Sequence, residues 1–138
     1  MTARSAEESW TRRRANYVRW ADTPETFVLG AEVDDQFVGY AFVTVGPGYS
    51  SCNSGERHAH LETLAVAPSF RGQGVGEQLL GAMRQQLDTA GVGRIALSAV
   101  CANAGAHRFY ERHGFRRAEV VFVGRTQSQL AARSRTDR

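Results

Sequence analysis

The sequence contains no lysine; all 17 of its basic residues are arginine. A Walker-type phosphate loop needs a Lys, so that mechanism is excluded. There are two cysteines, Cys52 and Cys101, too few for a disulfide framework or a thiolate zinc site. Neither has an obvious His partner, so no acyl-enzyme is expected on them. Two reduced thiols fit a cytoplasmic protein. The apolar runs are far shorter than the ~20 residues that span a membrane. The first residues, Met1-Thr2-Ala3-Arg4-Ser5, lead into charged positions with no apolar signal-peptide core. No internal repeat and no Pro/Gly/Ser-rich linker divides the chain. No His, Cys, Asp or Glu group has metal-ligand spacing, so no metal is expected. The aromatic platform beside basic residues that an RNA-binding module would need is missing too. Nucleic acid is therefore not an expected partner, and neither is a membrane.

What is present is a chain of 138 residues, 42% hydrophobic, with a formal net charge of +3. That suits one compact domain, expected over residues 1–124, with a polar, Arg-rich tail over 125–138 expected to fray. The sign of the charge suits an anionic ligand. Residues 5–20 read as a helix, opened by a Ser5…Glu8 capping box. Trp10, Tyr17 and Trp20 supply its apolar stripe, with Arg12, Arg13 and Arg14 toward water. Residues 27–33 and 37–45 read as a hairpin turning at Asp34-Asp35. Residues 46–57 form a loop long enough to suggest function. A third strand covers 60–66 and is closed by Pro68. Val75, Leu79, Met83 and Leu87 recur every four residues, with Leu80 beside them, which predicts a helix with one buried stripe. Gly91 and Gly93 end it. Residues 94–100 read as a strand, 103–113 as a short helix ended by Gly114, and 115–123 as a last strand. A strand, a helix and a strand make a right-handed parallel crossover. The fold class is therefore α/β (α+β): a mixed sheet with helices packed on it.

The most informative segment is Arg71-Gly72-Gln73-Gly74-Val75-Gly76, between a strand and a helix. Alternating glycines at a helix start cost stability. They are explained if bare backbone must approach a ligand. The helix N-terminus offers free N–H groups and a partial positive charge, a natural seat for pyrophosphate, and Arg71 can add a charge-assisted contact. A turn that only redirects the chain would also use glycine. A dinucleotide fold is a poor match: Leu79 stands where its third Gly should be.

Thr63-Leu64-Ala65-Val66-Ala67-Pro68 followed by Arg71-Gly72-Gln73-Gly74-Val75-Gly76 resembles the acetyl-CoA signature of the GNAT superfamily of N-acetyltransferases. A second block, Asn103-Ala104-Gly105-Ala106-His107-Arg108-Phe109-Tyr110 and then Gly114-Phe115, resembles that family's Asn-x-x-Ala-x-x-Phe/Leu-Tyr and Gly-Phe pair. The two blocks occur in the family's order, and the likeness covers residues 27 to 123.

The resemblance implies a GNAT-like mixed sheet flanked by helices, with acetyl-CoA as acetyl donor and an amine as acceptor. It implies that Leu64, Ala65 and Val66 offer backbone groups to the acetyl carbonyl and pantetheine, one N–H acting as an oxyanion donor. The pantetheine would lie between this strand and the strand over 94–100. Arg71, Gly72, Gln73, Gly74, Val75, Gly76 and Glu77 would cradle the pyrophosphate. Asn103 would reach the cofactor arm, though helix capping alone would explain an Asn there. Tyr110 would protonate the departing thiolate; a half-buried core Tyr beside Phe109 and Phe115 is the competing reading. Glu62 is the first candidate for the base and His60 the second. They stand two apart on the strand and so share a face, opposite Leu61 and Thr63. His58 and Glu56 are more remote candidates. Ser98 stands where some family members carry an acid. The chain departs from the family by opening in a helix rather than a strand and by a poor last strand at residues 128–133. Terminal edge strands are therefore expected to be missing, and a homodimer would cover such edges. A non-catalytic acyl-CoA-binding domain is the alternative; it would need Gly72 to Glu77 but neither Tyr110 nor Glu62.

Overall fold

A computed structural model describes Val18, Asp22 and residues 25–47 and 57–130. The helix expected over 5–20 (Val18 apart), the loop tip with Cys52 and Glu56, and the tail from 131 lie outside the described residues. The described chain falls into two compact units, Met1–Val100 and Cys101–Arg138.

The first unit is built on a sheet of strands in the order β1-β2-β3-β4: β1 Phe27–Val33, β2 Gln36–Pro47, β3 Arg57–Val66 and β4 Arg94–Leu97. β1 and β2 form the expected hairpin. Its two central residues, Asp34 and Asp35, both hold positive φ, 50° and 63°. That is the signature of a type I′ turn, whose twist matches the strands it joins. β2 and β3 pair antiparallel. β3 and β4 pair parallel, joined by helix α1, Val75–Thr89, so the sheet is mixed as the crossover pattern predicted. An extra 3-10 turn, Pro68–Phe70, follows β3.

α1 forms because its apolar residues fall on one stripe. Val75, Leu79, Leu80, Met83 and Leu87 are all buried. At about 1.5–3 kcal/mol each, they outweigh the ~1 kcal/mol that a helical glycine such as Gly81 costs. The stripe packs on β2, β1 and β3. A Cβ placed on Gly39 would lie 3.4 Å from Val75 Cγ1, so Gly39 faces the helix. Alternation then turns Ala41, Val43 and Val45 the same way, and their partners Leu61 and Ala59 with them. All five are buried.

The second unit contains α2, Ala104–Arg112. The strand expected over 115–123 does not form: residues 115–126 lie in no strand. Val120, Val121, Phe122 and Val123 are 70%, 79%, 92% and 91% exposed. Valine and phenylalanine favour strands only where a neighbouring strand and a buried face receive them. β4 also ends earlier than expected, at Leu97, with residues 98–100 exposed.

Candidate functional site

β3 carries the site. Its ladder with β2 runs in register from Pro47↔Arg57 to Val43↔Leu61, then slips, and resumes at Phe42↔Thr63. Glu62 is the extra residue, a β-bulge. The bulge has a consequence the period-two reading could not contain. Leu61 and Thr63 pair with consecutive residues of β2, so they lie on opposite faces of the sheet. Thr63 joins the side of His60 and does not share the side of Leu61.

His60 and Glu62 do come together. Glu62 Oε1 lies 3.0 Å from His60 Nδ1, and both side chains are largely shielded, Glu62 at 15% and His60 at 22% exposure. The same oxygen accepts a hydrogen bond of 2.8 Å from Thr44 Oγ1 on β2. Sequence reasoning missed Thr44. No local sequence signal marks it, because its place beside His60 is set by the pairing of β2 with β3. His58 is half-buried, and its Nε2 has no hydrogen-bond partner among the described residues.

β3 and β4 pair only from His58↔Arg94 to Leu61↔Leu97. β3 continues to Val66 while β4 stops, so the two strands part. Which backbone groups face that parting follows from the ladder on the other side. The Ala67 N–H donates to Val38 C=O over 2.7 Å. Along a strand these groups alternate in direction, so Ala65 also points to β2. The Ala65 carbonyl oxygen accordingly sits 2.7 Å from where a Gly39 Cβ would be. Leu64 and Val66 therefore turn their N–H and C=O into the parting. Of the three expected donors, Ala65 faces the other way. Arg71 is tied to the same edge by donating from Nε to Val66 C=O at 3.2 Å.

The glycine turn follows at once. Gly72 and Gly74 hold φ of 76° and 83°, and Gly74 is the N-cap of α1 with no side-chain cap. The first helical bond is Gln78 N–H to Gly74 C=O at 3.0 Å. The N–H groups of Val75, Gly76 and Glu77 thus have no intrahelical acceptor, as at any helix start. Beyond its own chain neighbours, a Cβ on Gly72 or Gly74 would meet no atom of the described residues within 4 Å. A phosphate-sized group can therefore approach this backbone, and the residues fit a pyrophosphate. Gln73 folds back instead, donating to Ser69 C=O at 3.2 Å.

In the second unit, Asn103 caps α2: its side chain accepts from Ala106 N–H at 3.0 Å. The helix closes in a Schellman motif. Phe115 N–H reaches Tyr110 C=O at 3.0 Å and Gly114 N–H reaches Glu111 C=O at 3.2 Å, with Gly114 at φ 88°. The apolar contact that accompanies such a motif is the edge-on pair of Tyr110 and Phe115, 5.7 Å between ring centroids. Tyr110 also meets Phe109 at 5.3 Å. Burial raises the Tyr110 phenol above its ordinary value, because the phenolate is poorly solvated there. Cys101 is an exposed free thiol. Among the described residues no cluster of three or more His, Cys, Asp or Glu could hold a metal, and no helix is long and apolar enough to cross a membrane.

Comparison with known proteins follows the same segments. The sequence profile of the Acetyltransferase (GNAT) family matches residues 1–115. An aminoalkylphosphonate N-acetyltransferase of Salmonella typhimurium is 36% identical over 63 residues, 46% of this chain and 41% of that protein. An aminoglycoside N(6')-acetyltransferase of Stenotrophomonas maltophilia is 29% identical over 112 residues, 81% of this chain and 73% of that protein. A Mycobacterium leprae protein is 40% identical over 89 residues, 64% of this chain but 23% of its own length. The chain thus spans well under two thirds of the length of two of these curated relatives. Among solved structures, a Pyrococcus furiosus protein superposes with a TM-score of 0.78 at 18% identity, covering 91% of this chain and 82% of that one. An aminoglycoside N-acetyltransferase solved in complex with CoA superposes at 0.69 and 23% identity, covering 88% and 90%. At such identities these two likenesses establish the fold.

Proposed function

The chain belongs to the Acetyltransferase (GNAT) family, and from that premise we propose that it transfers an acetyl group from acetyl-CoA to a primary amine by direct attack. One observation carries the reading. β3 parts from β4 after Leu61, turns Leu64 and Val66 into the parting, and leads straight to a helix start whose glycines leave the backbone bare.

In this reading the pyrophosphate of acetyl-CoA takes the free N–H groups at the start of α1. Arg71, anchored beside Val66, adds positive charge, and the pantetheine enters the parting. The Leu64 N–H is the donor for the thioester oxygen as charge develops on it. Glu62 accepts the proton of the incoming ammonium, with His60 beside it as the second group able to do so. The amine nitrogen attacks the acetyl carbon and the C–N bond forms; the nitrogen then gives its second proton to solvent, and the C–S bond breaks with its electron pair going to sulfur. The family resemblance assigns Tyr110 to this sulfur. Its raised phenol keeps the proton that the role needs. A free thiol titrates near ~8.5, so complete transfer from the phenol is uphill. Tyr110 then acts as a donor in the transition state, its proton replaced from solvent. Two relatives are named for acceptors of the amine class, an aminoalkylphosphonate and an aminoglycoside, which supports a primary amine here.

The test has two stages. Calorimetric titration with acetyl-CoA is expected to give micromolar binding. A panel of aminoglycosides, aminoalkylphosphonates, polyamines and short peptides is then followed by release of the CoA thiol. A folded chain that does not bind acetyl-CoA refutes the proposal. Binding without turnover on any amine leaves an acyl-CoA-binding domain in place of an enzyme.

A further inference from the structure

The bulge at Glu62 raises a question of control. A bulged residue is released from the ladder, so pairing with β2 does not fix where its carboxylate points. We propose that Thr44 is the positioning residue for this carboxylate: its hydroxyl holds Oε1 and leaves Oε2 to take the proton of the acceptor amine. The inference rests on the reading of Glu62 as the base.

Thr44 is suited to the task for three reasons. It is paired with His60 on the adjacent strand, so the regular ladder fixes its backbone. A β-branched side chain is stiff at χ1, so the hydroxyl has little freedom of its own. Its hydrogen bond to Glu62 Oε1, at 2.8 Å in a part-buried place, has the ordinary length of an O–H···O bond. His60 Nδ1 lies 3.0 Å from the same oxygen but outside hydrogen-bond geometry, so it draws that oxygen only by charge, when the imidazole is protonated. The Thr44 hydroxyl donates whatever the state of the imidazole. Both contacts fall on Oε1, and the described residues offer Oε2 no hydrogen bond. The two oxygens are thereby divided between holding and proton acceptance. Thr44 lies on β2, on the other side of β3 from β4.

The experiment compares Thr44→Val, Thr44→Ser, Glu62→Gln and the double variant Thr44→Val/Glu62→Gln. Kinetics use acetyl-CoA and the amine that the wild-type chain turns over. Thr44→Val is expected to lower kcat about tenfold without changing the affinity for acetyl-CoA. Thr44→Ser restores the rate, and the double variant is no slower than Glu62→Gln alone. An unchanged kcat in Thr44→Val, or losses that multiply in the double variant, overturns the proposal. A second readout needs no turnover: the carboxyl carbon resonance of Glu62 in ¹³C-glutamate-labelled protein, identified by its loss in Glu62→Gln. It is expected to move in Thr44→Val and return in Thr44→Ser. If it stays put, Thr44 does not hold Glu62, whatever the activity. If it moves in a chain that neither binds acetyl-CoA nor acetylates any amine, the acetyltransferase reading has failed and the contact itself stands.

Discussion

Gly74 is the sharpest point at which to press the cofactor site. It holds φ of 83°, caps the helix that begins at Val75, and has open space where a Cβ would go. Gly74→Ala therefore meets no clash, and its cost is the left-handed backbone alone. That is about 1–2 kcal/mol, or a fall in Tm of about 5 °C for a chain of this size. Gly74→Glu suffers the same strain and adds a carboxylate beside the free N–H groups of Val75, Gly76 and Glu77. At about 5 Å and an effective dielectric of about 20, one such charge repels one phosphate charge by about 3 kcal/mol. Solvent around an exposed turn screens part of this, leaving about 2 kcal/mol, or about 30-fold in Kd. Gly81→Glu is the matched control. It puts the same charge on the same helix at an exposed position, also with open space for a Cβ. Calorimetry with acetyl-CoA and a melting curve on each variant separate the effects. Gly74→Glu and Gly74→Ala should melt alike, while Gly74→Glu alone should lose the charge-driven part of the affinity. Gly81→Glu should bind as the wild type does. A folded Gly74→Glu that binds acetyl-CoA normally refutes the cradle. Equal losses in Gly74→Glu and Gly81→Glu would make the effect one of net charge rather than of place.

Other outcomes follow from the same geometry. Glu62→Gln keeps the shape of the side chain but cannot take a proton, so kcat should fall about 100-fold or more while acetyl-CoA affinity holds; steady-state kinetics with matched calorimetry check it. Burial raises the Tyr110 phenol, so the folded state favours its neutral form. Its contribution to stability is fully present below the unfolded value near ~10 and is lost as pH rises through the folded value. Melting curves from pH 8 to above 11 should show an alkaline decline that is shallower in Tyr110→Phe, and an identical decline would remove the buried phenol as its cause. The Asp34-Asp35 turn places two acidic residues at positive φ. The double substitution Asp34→Asn/Asp35→Gly supplies the residues that a type I′ turn prefers and, by relieving left-handed strain, should stabilise by about 1 kcal/mol, read as a Tm raised by a few degrees.

The glycine block shows why part of the site could be read early. Bare backbone at a helix N-terminus is a local property, written in consecutive residues from Arg71 to Gly76, and the physics that makes it useful needs no partner from elsewhere in the chain. The capping role of Asn103 and the Schellman closure at Gly114 are local in the same way. Glu62 and His60 were found as residues, because a two-residue spacing suggests one face. Their relation to Thr63 was not, because the bulge between Phe42 and Val43 belongs to the pairing of two strands. Thr44, 18 positions away from Glu62, was beyond any local pattern. The strand expected over 115–123 failed for the converse reason. Its composition favours extension, but a strand is completed by a neighbour, and residues 120–123 stay exposed.

By itself, then, the sequence determined the class of fold, the crossover of β3, α1 and β4, and the bare helix start. Periodicity, glycine placement and turn chemistry act over a few residues, and those effects survive wherever the segment is put. Only the tertiary structure decided which backbone groups of β3 face the parting and which side of the sheet Thr63 takes. It also decided which side chain holds the Glu62 carboxylate. Each of these depends on the register between strands far apart in the chain, and one extra residue in that register changes them all.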